Sequence, residues 1–226
     1  MKEKTPVVLT LISLAALILF VAVAIIVLFF TPLEAVMGAV QKMFYFHVSA
    51  GWVGMLSFLV AAISGGVYLK SREHLWDILS QSSVEIGLVF TLICIISGSI
   101  WAKPIWNTWW TWDPRLTTVS IMALIYAAYL LLRRGIDEPE KSARFGAVYT
   151  LLGFVSVPLT FISIRLLRTI HPVVFGGSAS IAGSFSLEPR MLFALTFSLA
   201  AFSVMFAALL WHRTRLGLLE YEKEKL

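Results

Sequence analysis

Six apolar stretches, at residues 7–30, 43–69, 84–101, 116–132, 145–164 and 191–211, constrain this chain more than anything else in it. A helix rises about 1.5 Å per residue, so about 17–25 apolar residues cross the roughly 30 Å hydrocarbon layer of a membrane. Inside that layer every backbone N–H and C=O must be satisfied by the protein, and a helix does this within one segment. The pattern predicts an all-α integral membrane protein with six transmembrane helices in a single domain over residues 1–226. Composition agrees: 59% of the residues are apolar and 14% charged, against about 25% charged in soluble domains. The first stretch is too long for the apolar region of a signal peptide and lacks a small-residue cleavage site, so it reads as a retained helix.

Lysine and arginine disfavour translocation, and their distribution orients the chain. With both termini cytoplasmic, the inner segments hold Lys2, Lys4, Lys70, Arg72, Arg133, Arg134, Lys141, Arg144, Arg213, Arg215, Lys223 and Lys225. Lys42, Lys103, Arg115, Arg165, Arg168 and Arg190 fall outside, a two-to-one bias that favours cytoplasmic termini. The net charge of +5 is spread over inner loops and forms no stripe suited to nucleic acid.

Helix ends and packing surfaces account for several polar and small residues. Thr5-Pro6 and Asp113-Pro114 each place a capping oxygen before a proline at a predicted first helical position. Ser82 and Glu85 have capping-box spacing, which gives the acid near the third span a structural role. Pro158 is expected to kink the fifth span, and Gly51, Gly54, Gly65, Gly66 and Gly98 offer small surfaces for close helix approach. Cys94, the only cysteine, reads as a small packing residue.

Five of the eight tryptophans lie between Trp101 and Trp112, in W-A-K-P-I-W-N-T-W-W-T-W, which runs on into D-P-R-L-T. The predicted topology makes this an external loop between helices 3 and 4. Interfacial anchoring is one explanation for it. A ligand platform is the other, and clustering in a single connection favours the platform. The histidines sort by side in the same topology: His74 and His212 inside, His47 and His171 outside with the tryptophans. One histidine at a membrane interface is commonly just a hydrogen-bonded polar residue. Two across an aromatic loop favour ligation: neutral imidazoles bind iron, zinc and copper, and two from opposite faces of a porphyrin would fill both axial positions of haem iron. The external cations offer a choice of partners for haem propionates.

The segment W-N-T-W-W-T-W-D-P-R-L-T resembles the tryptophan-rich "WWD" signature of the haem-handling membrane proteins of cytochrome c biogenesis. Six spans, 226 residues and one external histidine on each side of the signature are similar to the cytochrome c maturation protein C family of haem-exporter subunits. The likeness covers nearly the whole chain. It implies a bacterial cytoplasmic (inner) membrane protein that binds haem b at the external face and delivers it to a periplasmic haem chaperone. Covalent attachment would take place on that chaperone, so this chain delivers rather than catalyses. The resemblance further implies haem ligation by His47 and His171 and a haem surface formed by Trp101, Trp106, Trp109, Trp110, Trp112 and Asp113. Arg115 stands at the signature's basic position. Lys42 stands where arginine is expected, keeping the charge without the planar fork, and Asn107 stands where glycine is usual. ATP-binding cassette subunits, a small accessory membrane protein and membrane lipid are the further partners implied.

Missing motifs narrow the chemistry. There is no C-x-x-C-H for covalent haem, no cysteine pair for dithiol exchange and no G-x-x-x-x-G-K-[ST] for ATP. The stretch Gly176 to Ser186 reads as a flexible connector beside His171. Two rivals remain: a cytochrome c synthase that attaches haem directly to an apocytochrome, and a permease for haem or another solute. A synthase of the related group usually has more spans and a larger external domain. A permease would carry polar groups deep in its spans, and these are scarce.

Overall fold

The structure is a computed structural model that describes residues 5–34, 37–167, 171 and 187–224. Helix α1 covers Val7–Ile25 and widens into a π-helical turn at Ile26–Phe30. A short 3-10 turn, Ala39–Gln41, leads into α2, Lys42–Ser71. Then follow α3 (His74–Trp106), α4 (Pro114–Arg134), α5 (Pro139–Phe154), α6 (Ser156–Leu166) and α7 (Pro189–Glu224). Six helical segments are long and apolar enough to cross a membrane, α5 and α6 together making one of them.

Several helices overrun the apolar windows that revealed them. The 33 residues of α3 and the 36 of α7 correspond to about 50 and 54 Å, well beyond the hydrocarbon layer. Because α3 begins at His74, Ser82 and Glu85 lie inside it and form no capping box. The Ser82 hydroxyl instead donates to the Ile78 carbonyl at 2.7 Å, and Glu85 accepts from Arg213 Nε at 2.6 Å. Ser82 is thus satisfied within α3 and Glu85 by α7, a cross-helix partner that local spacing does not register. Thr5 is also displaced from its expected role: Pro6 is itself the N-cap of α1 and no side chain caps that helix. One residue further out, Thr5 is too distant to serve the first turn.

Helix α2 packs against α3, α5 and α7. Small residues set its approach: a Cβ on Gly54 would stand 2.7 Å from Thr91 Oγ1 of α3, and one on Gly65 would stand 2.5 Å from Thr150 Oγ1 of α5. Gly66 has only ordinary contact space, so that glycine is not needed for close approach. Phe58 of α2 stacks on the buried Tyr126 of α4 with ring centroids 3.6 Å apart. The fifth span is interrupted as Pro158 requires. Proline lacks the N–H that would bond the carbonyl four residues back, and the helix breaks between Phe154 and Ser156.

Two ends of the bundle can be distinguished by what gathers there. Ser13 of α1 bonds His212 Nε2 of α7 at 2.8 Å, and the His74 ring lies 4.5 Å from that of Tyr221. The other end holds His47, His171 and the tryptophan segment. The histidines therefore separate into the two pairs that their order along the spans implied.

Candidate functional site

Below the tryptophan segment lies a cleft of about 370 Å³ bounded by α2, α3, α4, α6, α7 and His171, within the usual size range of small-molecule sites. The hollow follows from residue size at helical spacing. On α2 the cleft is lined by His47, Gly51 and Met55, and on α3 by Cys94, Gly98, Ala102 and Trp106, each four positions from the last. Side chains four apart share a helix face, so glycines and an alanine on these faces leave open space. Trp52, Phe161 and Leu199 supply further apolar wall, while Trp110, Arg115 and Thr160 also reach it.

His47 is held from α3. Its Nδ1 lies 3.0 Å from the Cys94 carbonyl oxygen and 3.2 Å from Ser97 Oγ. A carbonyl can only accept, so Nδ1 carries a proton and donates, and in the neutral ring the lone pair is then on Nε2. Metal-binding imidazoles commonly have this arrangement, in which a backbone carbonyl sets the tautomer and orients the ring. Trp101 is buried and near-parallel to His47, with centroids 6.4 Å apart. Trp106 meets Trp101 edge-on at 5.4 Å and reaches the His171 ring at 5.5 Å. A ladder of four rings thus joins the two histidines.

His171 is kept neutral. Burial, and then the positive field of Arg115, push its pKa down to about 4, against the opposing pull of Asp113. The 3.8 Å approach of His171 Nδ1 to Asp113 Oδ1 is therefore no ion pair near pH 7, and the imidazole is in its metal-binding form. Asp113 serves the backbone of α4, its Oδ1 accepting from the N–H of Arg115 at 2.9 Å and of Leu116 at 3.4 Å. This N-cap, with Pro114 at the first helical position, starts α4 where Arg115 lines the cleft.

The tryptophan segment divides by exposure. Trp106 and Trp110 line the cleft and Trp101 is buried behind it. Trp109 and Trp112 are exposed, at 57% and 80%, although Trp112 meets Trp110 edge-on at 5.9 Å. Asn107 ends α3 in the left-handed region, at φ 54° and ψ 22°. Glycine and then asparagine best tolerate that conformation at a helix C-terminus, so asparagine can serve where glycine is expected. Lys103 Nζ donates to the Asn107 carbonyl and to Asn107 Oδ1, each at 3.2 Å, and so serves the helix end.

Among the described residues, no lysine or arginine other than Arg115 lines the cleft. Lys42 donates to the Leu28 carbonyl at the end of the first span and does not line the cleft. A helix end with unsatisfied carbonyls attracts a nearby ammonium. Arg190 begins α7 and is exposed, away from the cleft lining. Arg168, the side chain of Arg165 and the stretch Gly176–Ser186 lie outside the described residues.

No sequence motif singles out Ser97, Trp52, Met55, Phe161 or Leu199, and Cys94 and Gly98, expected as packing surfaces, also serve the site. Stepping by four from His47 reaches Gly51 and Met55, so helical spacing held part of that signal. The pairing of His47 with Cys94 crosses two helices and has no local signature. Cys94 remains a packing residue by its side chain, whose sulfur would stand 3.1 Å from a Cβ on Gly51. Its carbonyl accepts from His47 Nδ1, and its sulfur lies 3.7 Å from the same nitrogen.

Fold and site define a multi-pass helical membrane protein with a cleft at one end of its bundle, walled by tryptophan and faced, among the described residues, by two imidazoles and one guanidinium. Residues 2–226 match the family described as Heme exporter protein C, and the chain belongs to that family. It is 32% identical over 198 residues to Heme exporter protein C of Bradyrhizobium diazoefficiens, covering 86% of this chain and 75% of that one. It is 34% identical over 188 residues to that of Rhodobacter capsulatus, covering 83% and 76%. The Escherichia coli (strain K12) protein of the same name is 29% identical over 196 residues, covering 87% and 78%.

Proposed function

We propose that this protein binds haem b in the cleft between His47 and His171 and delivers it to a periplasmic haem chaperone during cytochrome c maturation. The supporting observation is that both imidazoles line one cleft, His47 with Nε2 turned free by its Nδ1 bond and His171 held neutral. Family membership supports the same cargo, since the relatives are called haem exporters. The donor set fits haem better than a bare ion. Among the described residues no three His, Cys, Asp or Glu side chains gather to hold a metal, whereas haem brings its own equatorial nitrogens and asks the protein for axial ligands only.

The remaining groups divide the work of holding a flat, dianionic, largely apolar molecule. Trp106 and Trp110 offer ring faces and edges, Met55, Phe161 and Leu199 offer apolar wall, and Arg115 offers charge to a propionate. Trp109 and Trp112 stand exposed where a docking partner would meet them. His47 is the retained ligand because two acceptors on α3 fix it. His171, on the connection between α6 and α7, is the ligand released at transfer. The bias of lysine and arginine favours cytoplasmic termini in the inner membrane, with the cleft periplasmic. ATP-binding cassette subunits and a small accessory membrane protein complete the maturation complex in this reading.

Co-purification with the haem chaperone, followed by visible spectroscopy, tests it. His47→Ala and His171→Ala each alter the haem spectrum, and His74→Ala and His212→Ala leave it unchanged. Four identical spectra, or no haem in the wild-type complex, would defeat the proposal.

A further inference from the structure

Three neighbouring features of α3 converge on one ring. The Cys94 carbonyl and Ser97 Oγ both lie within hydrogen-bond distance of His47 Nδ1. Ser97 also donates to that same carbonyl at 3.1 Å, so its hydroxyl hydrogen is occupied and its oxygen lone pairs face the imidazole N–H. Gly98 lies against the Nδ1–Cε1 edge of the ring: a Cβ there would stand 2.8 Å from His47 Cε1 and 3.3 Å from Nδ1. The first distance is closer than carbon atoms pack, and the opposing atoms belong to a ring already tied down at Nδ1. The imidazole therefore has one seat, and glycine is the residue that leaves it open.

We infer that Ser97 and Gly98 are positioning residues for haem ligation by His47, Gly98 by setting where Nε2 points and Ser97 by sharing the Nδ1 proton with the Cys94 carbonyl. The inference rests on the haem-binding reading above. Any side chain at position 98 lifts the ring from its acceptors and turns Nε2 away from the cleft axis. Loss of the Ser97 hydroxyl leaves the ring in place and weakens the pull on its proton. A less polarised N–H makes imidazole a poorer electron donor to iron, so the ferric state loses stabilisation and the midpoint potential rises.

The test uses the full-length protein in detergent, titrated with haem and followed by its visible spectrum, with thermal unfolding as a control for folding. Gly98→Ala is expected to weaken haem retention by about ten-fold or more, the scale of outer-shell losses at metal sites, and to replace the bis-imidazole spectrum by a five-coordinate one. In a His47→Ala background without added imidazole, Gly98→Ala should change haem retention no further, because the ring it collides with is gone. An equal loss in both backgrounds would make Gly98 a helix-packing residue and overturn the inference, as would a wild-type spectrum for Gly98→Ala. Ser97→Ala is isosteric enough to fold regardless. It should raise the haem midpoint potential, with Ser97→Thr restoring it, and an unchanged potential would remove Ser97 from the scheme. If His47→Ala itself leaves the haem spectrum intact, the haem-binding reading fails rather than this refinement of it.

Discussion

The two ends of the bundle use buried charge in opposite ways. At the end holding the chain termini, Arg133 grips both oxygens of Asp77 at 2.5 and 2.7 Å, and Arg213 grips both oxygens of Glu85 at 2.6 and 3.1 Å. Each carboxylate meets a planar guanidinium fork and the charges close on themselves. At the tryptophan end the nearby acid, Asp113, is committed to the backbone of α4, and Arg115 has no ion-pair partner among the described residues. Two imidazoles replace the acids. One end is electrostatically complete, while the other presents a cation and two imidazoles, a set suited to the proposed cargo of negative charge and iron.

That contrast predicts where mutations separate stability from binding. Asp77→Ala strands a buried guanidinium, a change that costs about 3–5 kcal/mol when a buried pair is broken. Unfolding in detergent should register this loss, while the fraction that remains folded keeps its haem spectrum. A lost spectrum with intact folding would show the two ends to be coupled. Arg115→Gln should do the reverse: haem retention falls by about ten-fold, or roughly 1.4 kcal/mol, with little change in unfolding.

The same variant alters the pH dependence. His171 is held at about 4 against an ordinary value of about 6.5. Between those values the unfolded chain binds a proton that the folded one does not, so this residue destabilises the fold progressively as pH falls through that window. The wild-type imidazole stays available as a ligand until the pH approaches about 4. Since Arg115 helps depress the pKa, Arg115→Gln should move loss of the His171 contribution to higher pH. A transition already near pH 6.5 in the wild type would contradict the neutral assignment.

Smaller effects sharpen the contrast further. Asn107→Val places a branched residue in the left-handed region and should cost about 1–2 kcal/mol, loosening the turn from α3 into the stretch that carries Trp109, Trp110 and Trp112. Glu85→Gln at the termini end should cost about 1 kcal/mol at most, because that pair is about 30% exposed and partly screened. Trp112→Ala, at an 80% exposed position, should change stability by less than about 0.5 kcal/mol. A large effect of Trp112→Ala on transfer to the chaperone, with haem binding unchanged, would place it on the docking surface.

How far each feature could be read depended on whether its cause was local. Asp113-Pro114 starts α4, since a cap needs only the next three residues. Pro158 interrupts its span for a similarly local reason. Ser82 and Glu85 have the spacing of a cap and serve instead inside a continuous helix, because α7 supplies Arg213 to Glu85. Lys42 carries the charge expected near a propionate, yet the Leu28 carbonyl lies closer to hand. The histidine pair was legible through the alternating direction of the spans. Its supporting residues were not.

By itself, the sequence determined the membrane class, the six spans, the tryptophan motif and the candidate ligands. These depend on apolar length, helical period and the direction reversal at each loop, all properties of one segment at a time. Only the tertiary structure decided which nitrogen of His47 is free, which tryptophans face the cleft, and that Gly98 is needed for space. Those outcomes arise where α2, α3 and α4 meet, and contact between side chains more than forty residues apart leaves no periodic trace along the chain.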